Sequence, residues 1–161
     1  MSLPDVVTTP RFRLPLITVA EAADMRAGRR DLHWHADYPR EDDLDAIGML
    51  REPTPWGPRH IVRIFDGVTF GSVGFFGPPE EFNDVPEVEV GYGLVEEARR
   101  RGVMSEVLTA VLAHTDQRGV RVRASVEPEN AASLRLLAKV GFSQLRGSDE
   151  DGNLVMARPL P

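Results

Sequence analysis

Apolar and polar positions change period several times along the chain, and each change marks an element. Residues 11–16, Arg-Phe-Arg-Leu-Pro-Leu, alternate polar and apolar, the two-residue period of a half-buried strand. Thr18 and Glu21 then stand at capping-box spacing and predict a helix starting at Val19. Residues 28–41 mix glycine, aromatic and charged residues with a break at Tyr38-Pro39, after which Asp42–Leu50 has helical composition and an acidic first turn. Three prolines and a glycine in residues 51–58 predict a loop. His60–Phe65 and Val68–Phe76 flank Asp66-Gly67, the strongest hairpin signal in the chain. Residues 77–81, Gly-Pro-Pro-Glu-Glu, end the second of these strands. Glu87–Leu94 begins another, with Val88, Val90 and Tyr92 on one face and Glu87 and Glu89 on the other.

From Met104 the period lengthens, because Met104, Val107, Leu108, Val111 and Leu112 fall on one helical face and Gly119 supplies a stop. It shortens again where Val120, Val122, Ala124 and Val126 alternate with Arg121, Arg123 and Ser125. The unit reads strand, helix, strand, which calls for a parallel or near-parallel pair. Pro128 and Asn130 introduce another helix with Leu134, Leu137 and Ala138 buried and Gly141 at its end. Phe142–Leu145 and Leu154–Ala157 make a last strand pair around the turn Gly147–Asn153. No repeat or linker divides the chain, so the predicted fold class is α+β (mixed α/β), one domain over residues 8–161 behind an N-terminal tail of residues 1–7.

Composition narrows the function. The absence of cysteine removes disulfides, thiolate metal sites and a cysteine nucleophile. No apolar stretch reaches membrane-spanning length, and the first residues lack a secretory pattern, so a cytoplasmic location is expected. A formal net charge of −6 argues against nonspecific nucleic-acid binding, which makes the triplet Arg99, Arg100 and Arg101 stand out. With Gly102 it sits in a strand-to-helix turn. Unpaired N–H groups at a helix start, the helix dipole and nearby guanidinium groups together suit a phosphate. Arginines near a helix start are unfavourable without an anion, so this reading outweighs a merely solvated turn.

The residues 99–104, Arg-Arg-Arg-Gly-Val-Met, occupy the frame Gln/Arg-x-x-Gly-x-Gly/Ala. In that context, with Val88-Glu89-Val90-Gly91-Tyr92 before it, Ser105-Glu106 after it, and Glu129-Asn130-Ala131-Ala132-Ser133 leading to Lys139-Val140-Gly141-Phe142, the chain resembles the GNAT superfamily of acetyl-CoA-dependent N-acetyltransferases. Together with residues 9–14, Thr-Pro-Arg-Phe-Arg-Leu, the second motif resembles the ribosomal-protein N-terminal acetyltransferase branch. The resemblance implies a mostly antiparallel twisted sheet, splayed at two central strands and flanked by helices. It implies acetyl-CoA as acyl donor, with Leu94 and Val95 beside its pantetheine arm, the N–H groups of residues 101–105 (Arg101, Gly102, Val103, Met104 and Ser105) at its pyrophosphate, Arg99 and Arg100 as further cofactor contacts, and Asn130 with Ser133 reaching it from the next helix. It further implies direct attack by a primary amine in a ternary complex, with Glu89 as base, through water. The bland alternative for Glu89 is a solvated strand glutamate.

Two residues depart from the family pattern. Met104 stands where Gly or Ala is usual, and Leu137 stands where many relatives carry the tyrosine that protonates the leaving thiolate. Ser133 is the candidate substitute acid, directly or through water, and the alternative is a thiolate that leaves unassisted because its conjugate acid is far stronger than an alcohol. These departures motivate an alternative, a noncatalytic acyl-CoA-binding or regulatory module. A nucleotide-binding protein is the weaker third reading, because the loop lacks the Gly-Lys-Ser/Thr ending of a P-loop. His35 and Tyr38 lie in the region that shapes the acceptor pocket in relatives, and their segment reads equally as a packed loop. His33 and His35 offer two ligands without a third, so no metal is expected. Asp42, Asp43 and Asp45 read as helix-dipole partners, and Phe70, Phe75 and Phe76 as core or pocket floor. The expected partner is a small-molecule or peptide amine, with no nucleic acid or membrane and a homodimer left open.

Overall fold

Two short alternating runs open the sheet. In the computed structural model, which describes residues 2–161, β1 (Val6–Thr8) pairs antiparallel with β2 (Phe12–Pro15), Val7 opposite Leu14. Leu3 and Val7 are buried in the core, so residues 3–7 belong to the domain and are not the tail that composition suggested. The expected capping box forms at α1 (Val19–Arg26), Thr18 and Glu21 exchanging hydrogen bonds, and α2 (Glu41–Ile47) follows. The hairpin across Asp66-Gly67 is β3 (Arg59–Arg63) with β4 (Thr69–Phe75). A strand absent from the sequence reading, β5 (Glu80–Phe82), then turns through Asn83 and Asp84, both at positive φ, into β6 (Val85–Leu94). Three residues are too few to display alternation.

After one 3₁₀ turn, Glu96–Ala98, come α3 (Val103–Gln117), β7 (Arg121–Val126), α4 (Ala131–Lys139), β8 (Gln144–Ser148) and β9 (Leu154–Arg158). The strand order is β1-β2-β3-β4-β6-β7-β9-β8, with β5 attached to β6. Every pairing is antiparallel except β6 with β7. That parallel pair is joined through α3, as a parallel connection requires.

The parallel pair is short, and this decides where the site lies. β6 is held by β7 only from Glu87 to Glu89, opposite residues 121–123. Beyond that, Val90–Leu94 pairs with β4 alone, while Ala124–Val126 pairs with β9 alone. The sheet therefore splays, and two strand edges face each other without pairing. On one face Val88 and Val90 of β6, Val122 and Ala124 of β7, and Val107, Leu108 and Val111 of α3 bury one another, as their periods predict. Ser72 on β4, opposite Gly93, bonds Asp43 of α2 and marks the other face.

Candidate active site

The parting of β6 and β7 opens a cleft of about 1040 Å³. Because side chains alternate along β6, the cleft has two differently furnished halves. Tyr92 points to the α3 and α4 side, where its hydroxyl lies 2.6 Å from Ser133 Oγ. Glu89, Gly91 and Gly93 face the α2 side, with Glu89 held 3.2 Å from Arg123 Nε.

On the α3 side the helix start is bare. Gly102 is its N-cap in the left-handed region, φ 72°, and no side chain caps the first N–H groups. Gly102, Val103, Met104 and Ser105 all border the cleft. Met104 also joins the buried core. Arg99 and Arg100 stand at the mouth, both paired to Glu96 at 2.7 and 2.8 Å. From α4, Asn130 lines the cleft and caps its own helix, accepting from the Ser133 N–H at 3.0 Å. Its side-chain amide N–H groups remain available to a ligand. Arg135 and Lys139 add two cations that the sequence reading did not single out. Their signal was available, since they lie five and nine residues after Asn130 on a short helix.

On the α2 side the furnishing is acidic and aromatic. Asp42, Asp43 and Asp45 line it with Glu89. Asp43 is buried and accepts from the Arg40 backbone and guanidinium, and that guanidinium lies against Gly93. Phe70 and Phe75 are core residues, whereas Phe76 is 60% exposed and rests its ring on Gly91.

Four expected site residues lie elsewhere. Tyr38 is wholly buried, its hydroxyl 2.8 Å from His60 Nδ1, which in turn meets Glu21, so it is a core residue. The His35 ring bonds Glu97 at 2.9 Å and, with the Arg101 side chain, borders a separate cavity of about 420 Å³ near Phe12 and Phe70. The turn, with Arg100 at φ 63°, thus splits the arginine triplet, Arg99 and Arg100 bordering the cleft and Arg101 the other cavity. Val95 is buried and gives its N–H to Phe70, leaving Leu94 as the member of that pair on the cleft. Among the described residues no three His, Cys, Asp or Glu side chains gather where a metal could bind, and no helix is long and apolar enough to cross a membrane.

A mixed sheet that parts at its one parallel pair, onto the uncapped start of the connecting helix, is the arrangement that the resemblance to the GNAT superfamily implied. Residues 11–143 match the family described as acetyltransferase (GNAT) domain, and the chain belongs to that family of N-acetyltransferases. No curated protein matches the sequence. Among solved structures it is similar to one described as a GnaT-family acetyltransferase from Bordetella pertussis, at 25% identity and TM-score 0.65, covering 97% of this chain and 100% of that one. It shares its fold with a protein described as a ribosomal-protein-serine acetyltransferase from Vibrio cholerae, at 21% identity and TM-score 0.65 with 100% of both chains covered. Mycobacterium smegmatis RimJ in complex with CoA-disulfide is similar in fold at 21% identity and TM-score 0.62, covering 96% of this chain and 87% of that one.

Proposed function

We propose that this enzyme transfers the acetyl group of acetyl-CoA to a primary amine, a protein N-terminus or a small cationic amine, by direct attack in a ternary complex. The carrying observation is the polarity of the cleft. Arg99, Arg100, Arg135, Lys139 and the bare α3 start stand on the donor side, and Asp42, Asp45 and Glu89 stand on the acceptor side, where Arg40 is paired with Asp43; Glu127 also borders the cleft. The chemistry of the donor set fits CoA. Uncapped N–H groups with flanking guanidinium groups suit a pyrophosphate, and the unpaired edges of residues 90–94 and 124–126 suit the amides of a pantetheine arm. The description of Mycobacterium smegmatis RimJ with CoA-disulfide is consistent with that donor, and the description of the Vibrio cholerae protein with a protein acceptor.

When bound, the thioester supplies an acyl group already activated for transfer, so no covalent enzyme intermediate is required. Glu89 receives the proton of the incoming ammonium, through water, and the acidic α2 side attracts that cation. Ser133, fixed in the first turn of α4 by Asn130, donates toward the sulfur. A hydroxyl at this place makes the enzyme reading stronger than that of a silent acyl-CoA-binding module, despite Leu137.

Calorimetric titration with acetyl-CoA, followed by thiol-release assays over peptides with free N-termini and small diamines, tests the reading. Binding and turnover are expected, with Gly102→Glu abolishing binding and Glu89→Gln lowering kcat by about 100-fold. Failure of the folded protein to bind acetyl-CoA overturns it.

A further inference from the structure

We infer that Tyr92 is the proton reservoir behind Ser133, so that a phenol on β6 takes over the task of the tyrosine missing from α4 at position 137. The inference rests on the acetyltransferase reading above. Its basis is a contact between residues 41 apart in sequence: Tyr92 Oη and Ser133 Oγ lie 2.6 Å apart, and both border the cleft. Ser133 is held by the Asn130 cap and Tyr92 by its strand, where it stands opposite Val73. Two rigid elements thus present the hydroxyl pair.

Strand geometry separates this pair from the base. Glu89 and Tyr92 are three residues apart on β6, about 10 Å along the strand and on opposite faces. A proton removed from the amine on the α2 side and a proton delivered to sulfur on the α4 side therefore need different residues. A serine alcohol alone is a very weak acid. A phenol, at about 10, is far closer to a thiol at about 8.5, so proton transfer from tyrosine through serine is only modestly uphill. Burial raises the Tyr92 pKa while its bond with Ser133 lowers it, and the net rise keeps the phenol protonated at neutral pH.

The step balances as follows. The amine nitrogen bonds to the acyl carbon and the C–S bond breaks. The acceptor enters as the neutral amine, Glu89 having already passed its ammonium proton on to solvent; sulfur takes the Ser133 Oγ proton, Ser133 takes the Tyr92 Oη proton, and the proton that the nitrogen releases as the amide forms goes to Glu89. Solvent restores the proton to Tyr92 and removes the one on Glu89 before the next turnover.

The test compares Tyr92→Phe, Ser133→Ala and the double variant, each assayed for kcat across pH and for acetyl-CoA binding. Tyr92→Phe is expected to lower kcat by about 100-fold, to leave the acetyl-CoA Kd within about twofold, and to flatten the alkaline limb of the kcat profile. Ser133→Ala should cost as much, and the double variant no more, because the two hydroxyls act as one unit. Fluorotyrosine incorporated at position 92 keeps the ring in place and makes the phenol more acidic, so the alkaline limb should move to lower pH. A kcat for Tyr92→Phe within threefold of the parent, losses that multiply in the double variant, or an unmoved limb with fluorotyrosine each overturns the inference while leaving the acetyltransferase reading intact. Absence of acetyl-CoA binding by the parent protein overturns the reading itself, and the inference with it.

Discussion

Gly93 shows how much a single missing methyl group can carry. A Cβ at this position would run into the Arg40 guanidinium, which Asp43 holds in the floor of the acceptor half. Gly93→Ala should therefore push the guanidinium toward the acceptor space, where its charge opposes an incoming ammonium. The expected result is an acceptor KM raised about tenfold, or 1.4 kcal/mol, with the acetyl-CoA Kd little changed; calorimetry and steady-state kinetics on one preparation check it. Residues whose role depends on their own stretch of chain were readable in advance. Pro128 and Asn130 announce a helix start, and Gly102 announces a strand-to-helix turn. Residues whose role depends on a distant partner were not. Tyr38 read equally as a pocket aromatic and as part of a packed loop until His60, 22 residues away, took its hydroxyl into the core, and Arg101 looked equivalent to Arg99 until the turn sent it to the other cavity.

At the scale of elements, α3 determines the donor half because its start is left open. Nothing crowds a Cβ built on Gly102, whose nearest neighbour is an Arg11 nitrogen at 3.8 Å, so the cost of Gly102→Ala is conformational. An alanine held at φ 72° costs about 1 kcal/mol, a melting temperature about 3 °C lower by calorimetry, with weaker acetyl-CoA binding if the helix start shifts to relieve it. The anchoring of this helix is also visible. Glu106 accepts from the Thr9 hydroxyl at 2.7 Å, and from the Arg11 backbone at 2.9 Å and its Nε at 2.7 Å, tying the entry to β2 against the first turns of α3. Long elements were legible from their periods: α3 spends five apolar residues on one face, and β7 alternates throughout. The three-residue strands β1 and β5 were not, because so short a run acquires its identity only from the strand beside it.

For the whole molecule, the decisive feature is what holds β6 and β7 together just below the point where they part. Glu87 has no exposed side-chain surface and receives Arg121, Arg123 and Arg146 at 2.6, 2.9 and 2.7 Å, joining β6, β7 and β8. Burial alone would raise its pKa, but hydrogen bonds from Arg146, Arg121 and Arg123 outweigh burial and hold it down to about 2, against an ordinary 4.5. Because the folded carboxyl titrates below the unfolded one, this contribution of about 3 kcal/mol is complete above pH 4.5 and is lost as pH falls toward 2. Glu87→Gln should leave the arginines without their shared anion and lower stability by about 3 kcal/mol or more at neutral pH. In denaturant titrations it should also flatten the acid limb of the stability profile. The sequence placed Glu87 beside Glu89 on one strand face and had no means of telling them apart, since both obey the same alternation. By itself it determined the succession of the longer strands and helices, the apolar faces of β6, α3 and β7, and the arginine-glycine turn before α3, because all of these follow from interactions among near neighbours, whereas on α4 it placed Leu137 in the core correctly but not Ala138, which is exposed. Only the tertiary structure decided that β6 and β7 part after residue 89, that Glu87 is buried while Glu89 faces the cleft, and that Tyr92 meets Ser133. Those outcomes depend on which distant segments pack together, and a local period carries no record of that choice.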